Sequence, residues 1–313
     1  MKLAYSPASP YVRKVTACAI KRGIDKQIER LKIGTTDPEL LKLNPLSKVP
    51  TLIADDGMAI YDSPVICEYL DSIGSAPKLF PPAGPARWKA LTQEALADGI
   101  LDATQPRRRE LPLPQDEGRK GYIALQQGKV TACAIKRGID KQIERMKIST
   151  TDPELLKYNA LSKVPTLITD DGAYLFDSPV ICEYLDSIGS APKLFPAPGP
   201  ARWKALTQEA LADGILDATQ PRRRELALPQ DEGRKSYIAL QQGKVARAVV
   251  EFEKQASSLG NLDTIGEITI GCALGYLDFR YANEPWRPGH PELTAWYEKV
   301  VNLAPLAETM PVG

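Results

Sequence analysis

The chain has 313 residues, of which 43% are hydrophobic and 25% are charged, and its 40 basic and 39 acidic residues leave a net charge of +1. This composition is typical of a soluble globular protein with two or three domains. A nearly neutral chain has no electrostatic reason to bind nucleic acid or an anionic membrane, so we expect neither as a partner.

The first 74 residues alternate strand and helix signals. Ser9-Pro10 is typical of a helix N-terminus, because serine caps free N–H groups and proline suits the first helical position. Asp55-Asp56-Gly57 is typical of a hairpin turn. The predicted order is βαβαββα, with strands near 2–5, 28–33, 49–53 and 58–61 and helices near 10–22, 38–43 and 63–73. We expect a parallel first βαβ unit in a small α/β sheet that is covered by helices.

A long internal repeat follows the proline-rich linker at 77–85. Residues 14–18 return as residues 129–133, which lie 115 positions later, and the match continues to Val245. The position that matches Ser9 is Ala124, so the second copy lacks the first strand and its serine cap. We predict a helix there, beginning near 116–117. Deletion of one of the two copies would leave 198 residues, with every element present once.

After a second linker at 192–200, the chain is predicted to be helical. Thr264 and Glu267 have the spacing of a capping box in front of the apolar segment 265–279. That segment is short and contains charged residues, so it predicts a buried helix and not a membrane span. The predicted domains are a sheet domain at 1–77, leading helices at 84–128, a second sheet copy without its first strand at 129–192, and a helical domain at 199–313.

Cysteine and histidine usage limits the possible chemistry. None of the five cysteines forms a CxxC pair, which favours free buried thiols in a reducing cytoplasm. We recognise no signal peptide. The one histidine, His290, lies in a proline-rich turn, which argues against a histidine triad and a His/Cys metal site, so we expect no metal.

Three short segments of the first copy are candidates for chemistry. Ser9-Pro10 and Ser63-Pro64 each open a helix, and a helix N-terminus favours anions. Asp62 could hold an ammonium group of a ligand. Val49-Pro50 is either a strand-entry proline or a cis proline that exposes the backbone of Val49 to an extended peptide. Taken singly, each Ser-Pro pair is better explained by plain helix capping.

Together these segments resemble bacterial cytosolic glutathione transferases. The resemblance rests on SPASPYVRKV, NPLSKVPTLI, YDSPVICEYLD, the KLFP linker, ALADGILDA and TIGEITIGCALGYLDFR, and it covers the whole chain with the middle counted twice. It implies a thioredoxin-like α/β domain followed by an all-helical domain, with a second, truncated copy of the middle inserted. It also implies glutathione as co-substrate, a small hydrophobic electrophile as second substrate, and a homodimer.

The resemblance assigns a role to each candidate residue. Ser9 matches the serine that donates a hydrogen bond to the glutathione sulfur. Lys48 matches a basic residue near the glycyl carboxylate, and Val49-Pro50 matches the backbone that pairs with the cysteinyl unit. Asp62 and Ser63 match the pair that holds the γ-glutamyl end. The implied reaction is attack by an activated thiolate, without metal or histidine.

A second, incomplete site is predicted in the second copy. Its residues are Lys163, Val164, Pro165, Asp177 and Ser178. The missing strand is internal in this fold, so its loss exposes two strand edges. This copy therefore needs residues 2–13 of some chain, and segment exchange between subunits of the homodimer is one way to supply them.

Three interpretations of the chain stay open. The chain is either an enzyme with one competent thiol site or a binding protein that keeps the fold without useful turnover, since both halves are incomplete. A third alternative is an engineered duplication with one structurally redundant copy.

Overall fold

The computed structural model describes residues 1–110, 120–146, 148 and 152–311, without the side chains of 103–110 and 120–127. The predicted helix start at 116–117 lies outside these residues. Within the described ranges, no helix combines the length and the apolar character that crossing a bilayer requires.

The first sheet has four strands. They are β1 (Lys2–Tyr5), β2 (Glu29–Lys32), β3 (Thr51–Ile53) and β4 (Ala59–Ile60), in the spatial order β2-β1-β3-β4. β1 pairs in parallel with β2 and antiparallel with β3, and β3 pairs antiparallel with β4. The predicted parallel βαβ unit and the internal position of the first strand are therefore confirmed.

Three helices accompany this sheet: α1 (Pro10–Lys21), α2 (Pro38–Leu43) and α3 (Ser63–Ile73). Ser9 caps α1, as predicted, and Gly23 follows its end with a positive φ of 69° that glycine adopts without a steric penalty. α1 and α3 are joined by a buried ion pair in which Arg22 Nε lies 3.0 Å from Asp71 Oδ1. The core between sheet and helices includes Leu3, Val15, Ala19, Leu52, Ile60, Ile66 and Leu70.

The middle of the chain repeats this pattern incompletely. It contains α4 (Pro85–Glu110), α5 (Lys120–Lys136), α6 (Pro153–Tyr158), β5 (Leu167–Ile168), β6 (Tyr174–Leu175) and α7 (Ser178–Ile188). β5 and β6 form a separate two-stranded antiparallel sheet. Position 124 lies inside α5, so a helix replaces the first strand and its cap, as the sequence predicts.

The last part of the chain is helical. It contains α8 (Pro200–Leu226), α9 (Glu232–Gln255), α10 (Ile265–Arg280), α11 (Pro291–Val300) and α12 (Ala304–Ala307). Thr264 caps α10 by accepting the Glu267 N–H at 3.3 Å. The capping box is altered, because the Glu267 carboxylate accepts the N–H groups of Gly260 and Asp263.

The chain divides into two compact units. Unit 1 contains Met1–Phe80 and Pro196–Val301, and unit 2 contains Pro81–Phe195 and Asn302–Gly313. Unit 1 ends at Val301, and α12, which follows it, packs against α5 within unit 2. The four-part domain division stays a proposal, while the predicted fold class, a thioredoxin-like sheet domain with an all-helical domain, is confirmed.

Candidate active site

The pairing of the strands brings the three candidate segments to one edge of the first sheet. Ala4 of β1 is opposite Thr51 of β3, so the end of β1 lies beside the start of β3. Leu52 is opposite Ile60 of β4, which places the end of β4 at the same edge. The segments that follow β1, precede β3 and follow β4 carry Ser9, Val49-Pro50 and Asp62-Ser63, respectively.

Ser9 has an extended backbone and caps α1, with its hydroxyl oxygen accepting the Val12 N–H at 3.3 Å. This bond uses one acceptor position of the hydroxyl and leaves its O–H to act as a donor. The side chain is partly exposed. Ser9 can therefore cap the helix and donate to an anion at the same time, so the two interpretations of the Ser-Pro pair are compatible.

The segment before β3 is fixed by the buried Asn44. Its side-chain amide donates to the Lys48 carbonyl at 3.2 Å and to the Thr51 hydroxyl at 3.0 Å, and its side-chain oxygen accepts the Leu46 N–H at 3.0 Å. The Val49-Pro50 peptide bond is cis. Of the two alternatives from the sequence, the cis proline is thus the one observed.

Ser47 shows a second special backbone in this segment. It has a φ of 56°, which is uncommon for a residue other than glycine. Its hydroxyl donates to the Thr35 carbonyl. Such a conformation persists only where neighbouring contacts hold it, and it often occurs at ligand sites.

At the third segment the cap is Asp62 and not Ser63, so the interpretation of Ser63 as the helix cap is wrong. The exposed Asp62 carboxylate accepts the Ser63 N–H, because the extended backbone of Asp62 turns its side chain toward the start of α3. Ser63 is 1% exposed, and its hydroxyl has no hydrogen-bond partner among the described residues. A buried hydroxyl without a partner is costly, and it indicates a group that a ligand could satisfy.

Tyr61 lies beside these residues but does not offer a base. Its side chain is 6% exposed, and burial raises the pKa of the phenol well above its ordinary value. The phenol therefore stays protonated at neutral pH.

Helices of unit 1 contact the segment before β3 through residue pairs that no sequence pattern predicted. Arg247 of α9 donates from Nε to the Pro45 carbonyl at 2.8 Å. Lys48 Nζ lies 3.7 Å from Asp217 of α8, in a partly exposed pair. A Leu46 methyl occupies the space that a Cβ on Gly214 would need. Only a tertiary structure shows these pairs, since their members are far apart in sequence.

The second copy keeps the same local geometry without the serine. Val164-Pro165 is cis, and Asn159 donates to the Lys163 carbonyl at 3.0 Å. Asp177 caps α7 and accepts the Ser178 N–H. In place of the strand and Ser9, this copy has helix α5, so the described residues of the copy supply no hydroxyl that matches Ser9.

No group of three or more His, Cys, Asp or Glu within the described ranges is arranged to hold a metal ion. The five cysteines, which all lie in those ranges, are free thiols.

Comparison with known proteins identifies the family. The model described as "Glutathione S-transferase, N-terminal domain" matches residues 8–73 and 128–188, and "Glutathione S-transferase, C-terminal domain" matches residues 220–299. A GST-like protein of Escherichia coli K12, YibF, which is described as uncharacterized, is 31% identical over 187 residues, or 58% of this chain and 92% of that protein.

Solved structures agree. A glutathione transferase family member from Pseudomonas fluorescens Pf-5 with bound S-(propanoic acid)-glutathione is 36% identical, with a TM-score of 0.55 over 61% of this chain and 97% of that one. A glutathione S-transferase from Methylobacillus flagellatus KT with bound glutathione is 32% identical, with a TM-score of 0.55 over 60% of this chain and 95% of that one.

Proposed function

The chain belongs to the glutathione S-transferase family, and from this premise we propose that it binds glutathione at the edge of the first sheet and transfers it to a small hydrophobic electrophile. The observation that carries the proposal is the convergence of three segments at one sheet edge. One of them presents a hydroxyl donor, one a cis peptide backbone and one a buried hydroxyl at a helix N-terminus. Glutathione offers a thiol, a peptide backbone and two charged ends to match them.

Each of these residues would bind a different part of glutathione. The backbone of Val49, before Pro50, pairs with the cysteinyl unit, and Lys48 attracts the glycyl carboxylate. The γ-glutamyl carboxylate lies at the N-terminus of α3, where the Ser63 hydroxyl and free N–H groups favour an anion. The Asp62 carboxylate faces solvent and can accept the γ-glutamyl ammonium.

Ser9 would stabilise the thiolate. A free thiol has a pKa near 8.5, and lowering it by about two units requires about 2.7 kcal/mol of preferential thiolate binding. A hydroxyl donor at a helix N-terminus can supply an amount of this order. The thiol proton leaves to solvent, the sulfur attacks the electrophilic carbon, and a C–S bond forms as the leaving group departs with its electron pair.

We also propose that the second copy binds glutathione without turnover. Its cis Val164-Pro165 bond and its Asp177-Ser178 helix start match the first copy, but the thiol donor is absent from its described residues. We also propose a cytoplasmic location, which suits five free thiols. The resemblance implies a homodimer, but the repeat within this chain is the basis for a different oligomeric state, which is proposed below.

Replacement of Ser9 by alanine tests the thiol donor. We expect Ser9→Ala to raise the pKa of bound glutathione thiol by about 1–2 units and to lower kcat/KM at neutral pH by about 10- to 100-fold, because the thiolate loses its donor. Thiolate ultraviolet absorbance and conjugation to a chromogenic aryl halide measure the two effects. Ser6→Ala is the matched control. Unchanged thiol pKa and turnover would remove Ser9 from the mechanism.

A further inference from the structure

In unit 1 the first sheet copy contacts a helix of the second repeat copy. Arg202 at the start of α8 donates to Glu68 of α3, with Nη2 and Oε1 2.8 Å apart. Both side chains are mostly buried, at 7% and 19% exposure. Beside them, the rings of Tyr69 and Trp203 meet edge to face with centroids 5.5 Å apart. These four residues are called the unit 1 contact.

Unit 2 contains the same contact with the copies exchanged. Arg87 of α4 lies 2.9 Å from Glu183 of α7, and Trp88 meets Tyr184 edge to face at 5.7 Å. These are the unit 1 residues shifted by one repeat length, in the opposite direction for each partner. The first helix copy thus serves the second sheet copy, and the second helix copy serves the first.

Reciprocal pairing of this kind is the property of an isologous interface. In a two-fold dimer, residue i of one subunit contacts residue j of the other, and j of the first contacts i of the second. The repeat copies take the place of the two subunits here. Two of the boundaries between the units, Phe80/Pro81 and Phe195/Pro196, also lie at equivalent points of the two linkers.

We propose that these two contacts are the halves of a dimer interface that an unduplicated chain would form with a second copy of itself, and that the duplication closes this interface within one chain. Covalent linkage makes the second contact intramolecular, so it forms at a high effective concentration. The surface that would recruit a second chain is then occupied, and the protein is a monomer of 34.3 kDa.

The exchange also decides which helices border the first site. Asp217 and Gly214 of α8 belong to the second repeat copy, and Arg247 follows it. They contact Lys48, Leu46 and the Pro45 carbonyl. The position that matches Arg247 in the first copy is Ala132, which has no side-chain donor. Only the exchanged arrangement gives the segment before β3 its arginine contact.

Charge reversal in the full chain tests the pairing. Glu68→Arg places two guanidinium groups at the unit 1 contact, so we expect Tm to fall by about 5 °C. Adding Arg202→Glu restores most of the loss, because the pair is reformed with opposite orientation. Adding Arg87→Glu instead lowers Tm further, because it places two carboxylates at the unit 2 contact. Light scattering of every folded variant should give the mass of a single chain.

Each other result overturns the proposal. Rescue by Arg87→Glu would show that adjacent segments pair within one repeat copy, and rescue by neither would show that the contact is absent. Rescue by Arg202→Glu with twice the single-chain mass would place the exchange between chains. If charge reversal prevents folding, Glu68→Gln, Arg202→Gln and Arg87→Gln provide a milder double-mutant cycle. The stability losses of Glu68→Gln and Arg202→Gln should be coupled, whereas those of Glu68→Gln and Arg87→Gln should be additive.

Discussion

The two sheets come from the two copies of the repeat, in which residues 51–53 and 166–168 are identical, but β1 belongs to the first sheet. In the first sheet Leu52 is fully buried between β1 and β4, whereas its counterpart Leu167 is only partly buried. Ile168 of the second sheet is 44% exposed. The segment that matches β2 is not a strand between 143 and 146, and Met146 is 66% exposed.

This comparison shows that a strand depends on its neighbours more than on its own residues. Residues 144–146 differ from the matching residues of β2 only in having Met146 in place of Leu31, yet a strand forms at 29–32, where β1 provides a parallel partner, and not at 144–146. The helices behave differently, since α1 and α5 and likewise α3 and α7 form in both copies. A helix closes its own hydrogen bonds, so it survives the loss of the central strand.

The largest expected effect comes from a test of whether the paired helices contribute the same stability in both copies. Arg22 and Asp71 lie 3.0 Å apart in unit 1, and Arg137 and Asp186 lie 3.0 Å apart in unit 2, all four buried. Removing one partner leaves a buried charge, so Asp71→Ala and Asp186→Ala should each lower the free energy of unfolding of their unit by about 3–5 kcal/mol. Denaturant unfolding with peptide-level hydrogen exchange assigns each loss to its unit.

Equal losses would support the comparison, because the helix pair would not depend on β1. Lys78→Ala and Lys193→Ala are the matched surface controls, since these exposed side chains donate to the backbone carbonyls at 71–72 and 186–187. A much smaller loss for Asp186→Ala would mean that the missing strand weakens the helix layer as well.

The next effect concerns the sheet itself. Leu52→Ala removes a fully buried side chain from the core and should lower the free energy of unfolding of unit 1 by about 3 kcal/mol. Leu167→Ala removes a partly exposed side chain and should cost about 1 kcal/mol in unit 2. The same denaturant and exchange measurements apply. Equal costs would show that β5 is as well covered as β3, against the comparison.

The sequence predicted the elements whose signals are local. Ser9, the hairpin turn and the proline before β3 each identify an element from a few adjacent residues, and the sheet follows from their order. The cis form of Val49-Pro50 was one of two alternatives, because sequence does not fix the isomer. The sequence pattern places the cap of α3 at Ser63, one residue after the observed cap Asp62, since both Asp and Ser are good caps.

Tertiary pairing could not be predicted in the same way. The two helix copies begin with the same residues, so no local signal shows that α8 and not α4 contacts the first sheet copy. Arg247 stands outside the repeat and has no motif, yet it bonds to the Pro45 carbonyl. The end of the helical part at Val301 likewise depends on α12 packing against α5.

The smallest expected effect lies at the hairpin turns, where residues 54–58 and 169–173 differ at two positions. Ala54 of the first copy is replaced by Thr169, whose hydroxyl donates to the Asp171 carboxylate. This bond holds the pKa of Asp171 below its ordinary value. A carboxyl pKa lowered by folding contributes stability above its unfolded pKa and loses it as pH falls through the folded value. Because Asp171 is exposed, solvent keeps that contribution small.

Thr169→Ala converts the second turn to the sequence of the first at this position. The pKa of Asp171 should rise toward its ordinary value, because the carboxylate loses its hydroxyl donor. NMR titration of the side-chain carboxyl carbon measures it, and Thr169→Ser, which keeps the hydroxyl, should leave the lowered pKa in place. An unchanged pKa in Thr169→Ala would mean that the backbone N–H of Ala173 and not the threonine hydroxyl lowers it.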